Sequence, residues 1–303
     1  KPPELGTGVF AMDTGNSSST IPCFDSNFPV DFGLMREPAT TSSWLTGVRL
    51  TGDKRMFTNT AGSESSDSNV VFDSNVGYFK DLNSARQAWM WKRHAGFDVV
   101  AFEGTNSAGL QIAHSLNAVP EMMWIKNRDA SENWAVYHKG LNGGTNPEDY
   151  VIRLNSTDAE FNNNEWWNDT APTSTHFTLG ISGEANGFEK SMLAMLFASV
   201  DGISSVGSYN GSGSSGNAQN IGFSPRFLII KRTNGSDPWM VFDTLRGINN
   251  SGDDKLLYLN DNDSQGTIGD HDWISISSTG FSLSDGNGAT NTSGGSYIYF
   301  AHA

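Results

Sequence analysis

Asp270, His271, Asp272 and Trp273 stand together as DHDW, two carboxylates around an imidazole next to an indole. These are residue types suited to proton transfer or to holding an ion or a sugar. In extended backbone, however, successive side chains point to opposite faces. Asp270 and Asp272 then share one face while His271 points away, which splits the would-be dyad. The longer stretch DNDSQGTIGDHD (261–272) has the flavour of a calcium loop but lacks the glutamate expected at its twelfth position. DHDW therefore reads as a solvated loop with capacity for a glycan or an ion.

GSGSSG (211–216) matches G-x-G-x-x-G, the phosphate-cradling fingerprint of dinucleotide folds. That chemistry needs a helix directly after the glycines, because its N-terminal amides hold the pyrophosphate. Polar turn residues, Pro225 and a run of β-formers follow instead. A second loop, FEGTNSAG (102–109), occupies the equivalent place one repeat upstream. Both read as connections between strands.

Other constellations are equally sparse. Histidines 94, 114, 138, 176, 271 and 302 show no metal-ligand spacing, and no G-x-S-x-G elbow occurs. Cys23 is the single cysteine, so neither an internal disulfide nor a thiolate cluster is available. No catalytic residue, metal ligand or cofactor is assigned. Sequons such as Asn155-Ser-Thr and Asn291-Thr-Ser read as composition. The indoles are more informative. Trp44, Trp134 and Trp239 recur at one repeat position and read as core. Trp166, Trp167 and Trp273 lie in variable stretches rich in Asn and Asp, the pairing a sugar-binding patch uses. The candidate ligand-binding set is Trp166, Trp167, Asp270, His271, Asp272 and Trp273.

These residues must be positioned by a repeating scaffold. PEMMWIKNRDASENWAVYH (120–138) aligns with PRFLIIKRTNGSDPWMVFD (225–243), pairing Pro120 with Pro225, Lys126 with Lys231 and Trp134 with Trp239. The register continues through Asn155 and Asn260, HFTLG and GFSLS, and LFA and YFA. Glu160 falls on Gln265 and Asp158 on Asp263. A more diverged copy upstream repeats the eight-residue spacing in Arg36 and Trp44. Its proline, Pro29, is displaced by one position. The resulting units are 1–96, 97–202 and 203–303. A period near 105 is a domain length, so each unit is expected to close its own core.

Within a unit, the runs EMMWIK and RFLIIK suit strands covered on both faces. Asn234-Gly235 is a hairpin turn signal. With 33 Gly and 10 Pro among 303 residues, turns are frequent and strands short. The expected fold is all-β: three tandem antiparallel sandwiches, or barrel-like units, of about 100 residues each. A net charge of −14 repels phosphate backbones, which excludes nucleic acid as a partner. No apolar run approaches the ~20 residues of a membrane-spanning helix. The chain opens KPPELG without a methionine and reads as a fragment or processed product.

VPEMMWIKNR with its following Trp134 and VYH, then THFTLG, then SGGSYIYFAHA resemble the tandem units of phage tail-fibre and related virion proteins. The resemblance is strong from residue 97 onward and looser before. It implies a β-rich, non-enzymatic virion component on the exposed surface of the particle, at the tail, contacting host surface polysaccharide. It further implies a homotrimer bound to other virion proteins. A decoration or cement protein of head or tail, without receptor binding, is the alternative. A glycan depolymerase, which requires two carboxylates about 5 to 10 Å apart in a groove, is a second.

Overall fold

A computed structural model describes residues 5–17, 20–81, 83–248, 253–265, 272–284 and 286–303. The first third contains β1 (Phe10–Thr14), β2 (Phe24–Asp25), β3 (Phe32–Arg36) and β4 (Leu45–Val48). It continues with β5 (Lys54–Phe57), β6 (Ser65–Ser66), β7 (Gly77–Tyr78) and β8 (Gln87–Trp91). The middle third supplies β9 (Phe97–Glu103), β10 (Leu110–Ala113), β11 (Met122–Asn127) and β12 (Ala135–His138). β13 (Tyr150–Arg153), β14 (Phe161–Asn162), β15 (His176–Leu179) and β16 (Ser191–Phe197) follow, with one short helix, α1 (Gly183–Asn186). The last third holds β17 (Ser204–Asn210), β18 (Asn217–Asn220), β19 (Phe227–Arg232) and β20 (Met240–Asp243). It ends with β21 (Leu256–Tyr258), β22 (Ile274–Ser277), β23 (Gly280–Leu283) and β24 (Ser296–His302).

The strands pair antiparallel in one recurring order. The large sheets run β1-β8-β3-β4-β5-β6, β9-β16-β11-β12-β13-β14 and β17-β24-β19-β20-β21. Opposite them lie the small sheets β2-β7, β10-β15 and β18-β23-β22. Phe32 pairs with Trp91, Met122 with Phe197 and Phe227 with His302, so the central register is the same each time.

Alternation along the central strands explains their unbroken apolar runs. In β11, Met123 and Ile125 point into the space between that third's two sheets, among Trp167, Phe177 and Leu179. Met122 and Trp124 point the other way. β19 repeats the division, with Leu228 and Ile230 facing one core and Phe227 and Ile229 the other. A one-residue slip would exchange the two sets, so register is fixed from both faces.

The second face corrects the expectation that each unit closes its own core. Each third does have a private apolar cluster between its sheets. The inward faces of all three large sheets then merge into one further cluster, containing Trp44, Trp89, Trp124, Trp134, Phe227 and Trp239. At about 25 cal/mol per Å² of apolar surface removed from water, no large sheet can leave this cluster without a large loss.

Polar bonds close the same arrangement into a cycle. The Trp44 indole Nε1–H donates to the Tyr258 carbonyl (2.7 Å), Trp134 to Phe57 (3.0 Å) and Trp239 to Arg153 (2.9 Å). Each indole thus reaches the preceding third, the first reaching round to the last. Backbone amides cross the same seams: Glu64 to the Arg128 carbonyl, Glu160 to Thr233 and Gln265 to Pro38, each at 2.8 Å. Glu160 and Gln265 make the equivalent backbone bond, and the Glu160 carboxylate also accepts from the Asn142 amide (2.7 Å).

Candidate functional site

Three of the residues singled out from the sequence are core residues. The Trp166 indole is buried and donates to Glu184 Oε2 (3.0 Å), which also takes the Arg153 guanidinium. Trp167 is 1 % exposed and donates to the Tyr150 carbonyl (2.8 Å). Trp273 is buried in the cluster of the last third, its amide bonded to Asp254. The expectation of an indole platform for sugars is corrected accordingly, since none of these rings offers a face to solvent. Variability between copies reflected different solutions to filling a sandwich end. Asp272 is half-buried beside Trp273, and Asp270 and His271 lie outside the described residues.

The glycine-rich loop is likewise occupied. Ser212 and Gly213 donate their amides to the Asn291 side chain and carbonyl (2.9 and 2.8 Å), and the Asn291 amide donates to Ser214. Asn186 clamps Thr105 and Asn106 the same way in the middle third. A side chain on Gly211 would collide with the Thr292 carbonyl, which is why the loop needs glycine there. Its N–H groups hold the protein's own asparagine rather than a phosphate.

The recurrent cations at the ends of β3, β11 and β19 are also structural. Lys126 is buried and donates to the carbonyls of Ala61, Asn127, Ala130 and Glu132 at 2.8 to 3.2 Å. Lys231 binds those of Thr157, Arg232 and Gly235, and Arg36 those of Thr40, Asn262 and Asp263. Burial pulls both lysines down to about 8. Each cation bridges two thirds of the chain.

Three of the histidines share one behaviour. His138, His94 and His302 are driven down by burial, to about 4, 4 and 3 respectively. Gly140 donates its amide to His138 Nδ1 (2.9 Å), which puts the ring proton on Nε2, facing the Tyr299 carbonyl at 3.2 Å. His138 is therefore a neutral seam residue at the position where the last third has Asp243, itself bound to Trp89, Gln87 and Arg246. Among the described residues, no three His, Cys, Asp or Glu side chains are grouped to hold a metal.

Hollows remain open among the described residues: one of about 310 Å³ in the first third, and more open ones beside Asp31, Arg93 and Asp98 (about 630 Å³) and beside Arg49, Asp53 and Phe72 (about 340 Å³). The first is the most enclosed of the three. Met35, Leu45 and Phe57 form its apolar floor at the end of the private core. Its rim is polar: Glu37, Ser42, Ser43, Arg55, Asp67, Asn69 and Arg86. Arg55 binds Asp67 (2.7 Å) and lies over the Phe57 ring (5.3 Å). Arg86 pairs with Glu37 (3.7 Å) and with Asp81. Thr40 and Asn83 also donate to Glu37.

The hollow exists because the first third departs from the other two. In the middle third α1 packs on β11 and Glu184 joins Arg153 to Trp166. By strand register, Arg153 stands where Phe57 stands. Tyr258 takes that position in the last third and packs against its private core. Among the described residues, neither the β7–β8 connection of the first third nor the β23–β24 connection of the last third forms a helix. Sequence reasoning missed these residues. The available signal was the divergence of the first copy itself, in which Arg55 stands where the last third has Leu256 and Asp67 appears as a further polar residue.

Sheets packed in pairs define an all-β protein of β-sandwich class. The chain belongs to the DUF7483 family, a domain of unknown function, whose model matches residues 83–303. The hollow lies almost entirely upstream of that match, with Arg86 inside it. No curated protein and no solved structure matches the chain.

Proposed function

We propose that this protein is a structural component of a phage particle, exposed at the tail, that holds host-surface glycans without transforming them. The resemblance of its VPEMMWIKNR and SGGSYIYFAHA strands to tail-fibre units supports this setting. The observation that carries the reading is the cyclic seam. Indoles, buried cations and backbone amides tie three pairs of sheets into one rigid block. Side chains that could have done chemistry are engaged in that closure. In the open hollow both Glu37 and Asp67 are tied to guanidinium groups, an arrangement suited to hydrogen-bonding a ligand rather than to donating a proton.

Purified chain on a glycan array, together with its effect on adsorption of phage to host cells, tests the proposal. Saturable glycan binding and competition with adsorption are the expected results. Phe188, 63 % exposed beside α1, favours a second reading as a decoration that docks on other virion proteins. Normal adsorption by particles lacking the chain, with loss of particle stability, would select that reading.

A further inference from the structure

We infer that the hollow of the first third binds a neutral pyranose, as the terminal one or two sugars of a glycan. This inference rests on the glycan reading above and names its site.

The floor and rim together select the ligand. Met35 and Leu45 are buried at the base, and the half-buried Phe57 ring, with Arg55 over it, is the apolar group that meets solvent. The C–H face of a pyranose is the complementary surface. Above the floor, the charges are already matched: Arg55 to Asp67, and Arg86 to Glu37 and Asp81. Arg36, the remaining cation in the lining, gives its terminal NH2 groups to backbone carbonyls, while its buried Nε–H has no hydrogen-bond partner among the described residues. An ionic ligand would bring a further charge next to carboxylates and guanidinium groups that are already paired.

A polyol does not. A carboxylate offers about four lone-pair sites and a guanidinium five N–H donors, so a paired Arg and Asp retain capacity on their outer edges. A vicinal diol can donate to the carboxylate and accept from the guanidinium while both remain paired. Ser43 and Asn69 add neutral polar groups on the same rim, while the Ser42 hydroxyl is taken up by the Glu37 backbone. The volume of about 310 Å³ is at the small end of the ~300–1,000 Å³ range of ligand sites, which limits the occupant to a short saccharide. The other two thirds carry Arg153 and Tyr258 at the Phe57 position, so one site per chain is expected.

The test uses the full chain and a panel of neutral methyl hexopyranosides and their disaccharides, with a uronate and a sialoside as charged comparisons. Binding is followed by ligand-observed NMR and on the array. Phe57→Leu keeps the backbone carbonyl that accepts from Trp134 but removes the ring, and Asn69→Ala alters only the rim. Expected is saturable binding of at least one neutral saccharide, weakened at least ten-fold by both variants, with an unchanged thermal midpoint. If Phe57→Leu lowers the midpoint, Asn69→Ala alone decides. Glycan binding unchanged in both variants would overturn the site while leaving the glycan reading standing. Preference for the uronate or sialoside would overturn the neutral class. Failure of the unmodified chain to bind any glycan would remove the reading itself.

Discussion

The Trp134 indole donates 3.0 Å to the carbonyl of Phe57, joining a residue of the middle third to the edge of a sheet 77 positions earlier. The same bond occurs twice more, from Trp44 to Tyr258 and from Trp239 to Arg153. Each acceptor belongs to the strand that ends the preceding large sheet's β4–β5, β12–β13 or β20–β21 pair. These bonds make the three thirds one cooperative body, and the first prediction tests that directly.

Trp134→Phe removes the donor, leaves the Phe57 carbonyl unmatched in a buried seam, and should cost about 1–3 kcal/mol. Trp134→Ala adds a cavity and should cost about 3–5 kcal/mol. Denaturant unfolding followed by tryptophan fluorescence and by circular dichroism should show one coincident transition, shifted in both variants. Separate transitions for the thirds would contradict a shared core.

Lys126→Met should destabilise by a few kcal/mol, because four carbonyls lose their donor together and only one apolar contact is gained. Lys126→Arg should lose less than half as much, since Arg36 already fills the equivalent place with a guanidinium bound to carbonyls. The ranking of the two midpoints in one denaturant series checks this.

Trp167→Ala should reduce stability by about 3–5 kcal/mol, as for any large buried ring. Adhesion measured on the surviving folded fraction should be unaltered. Weakened binding with a native midpoint would return this indole to a ligand role, against its burial beneath Tyr150 and Tyr137.

Acid should weaken the fold before ordinary carboxylates protonate. His138 titrates near 6.5 when unfolded and near 4 when folded, as burial disfavours the imidazolium. Between those values the unfolded chain holds a proton that the folded chain does not, so stability falls as pH drops from about 6.5 to about 4 and levels off below. His94 and His302 act in the same direction. His138→Gln should flatten this slope by about one proton's worth out of three, read from denaturation midpoints between pH 7 and pH 4. An unchanged slope would mean that His138 is already charged in the folded protein.

Much of the scaffold was legible because its signals are local. Runs such as EMMWIK and RFLIIK could only be strands buried on both faces, and β11 and β19 are. The equivalence of Trp44, Trp134 and Trp239 was readable from spacing, and all three indoles make the same bond. The candidate site was not legible. Trp166 and Trp167 looked like ligand platforms because Asn and Asp surround them in sequence, whereas their neighbours in space are Glu184, Arg153 and Tyr137.

Residue order alone dictated an all-β chain with strands at repeated positions, since alternation, turn residues and the proline before each central strand act over fewer than ten neighbours. Folding in three dimensions decided which aromatic faces are hidden, which cations bridge the seams, and that a hollow opens beside Phe57, Arg55 and Asp67. Those outcomes depend on contacts between residues tens to hundreds of positions apart, such as Arg36 with Asp263. No local pattern encodes them, because the space a side chain fills is set by whichever segment of the chain arrives beside it.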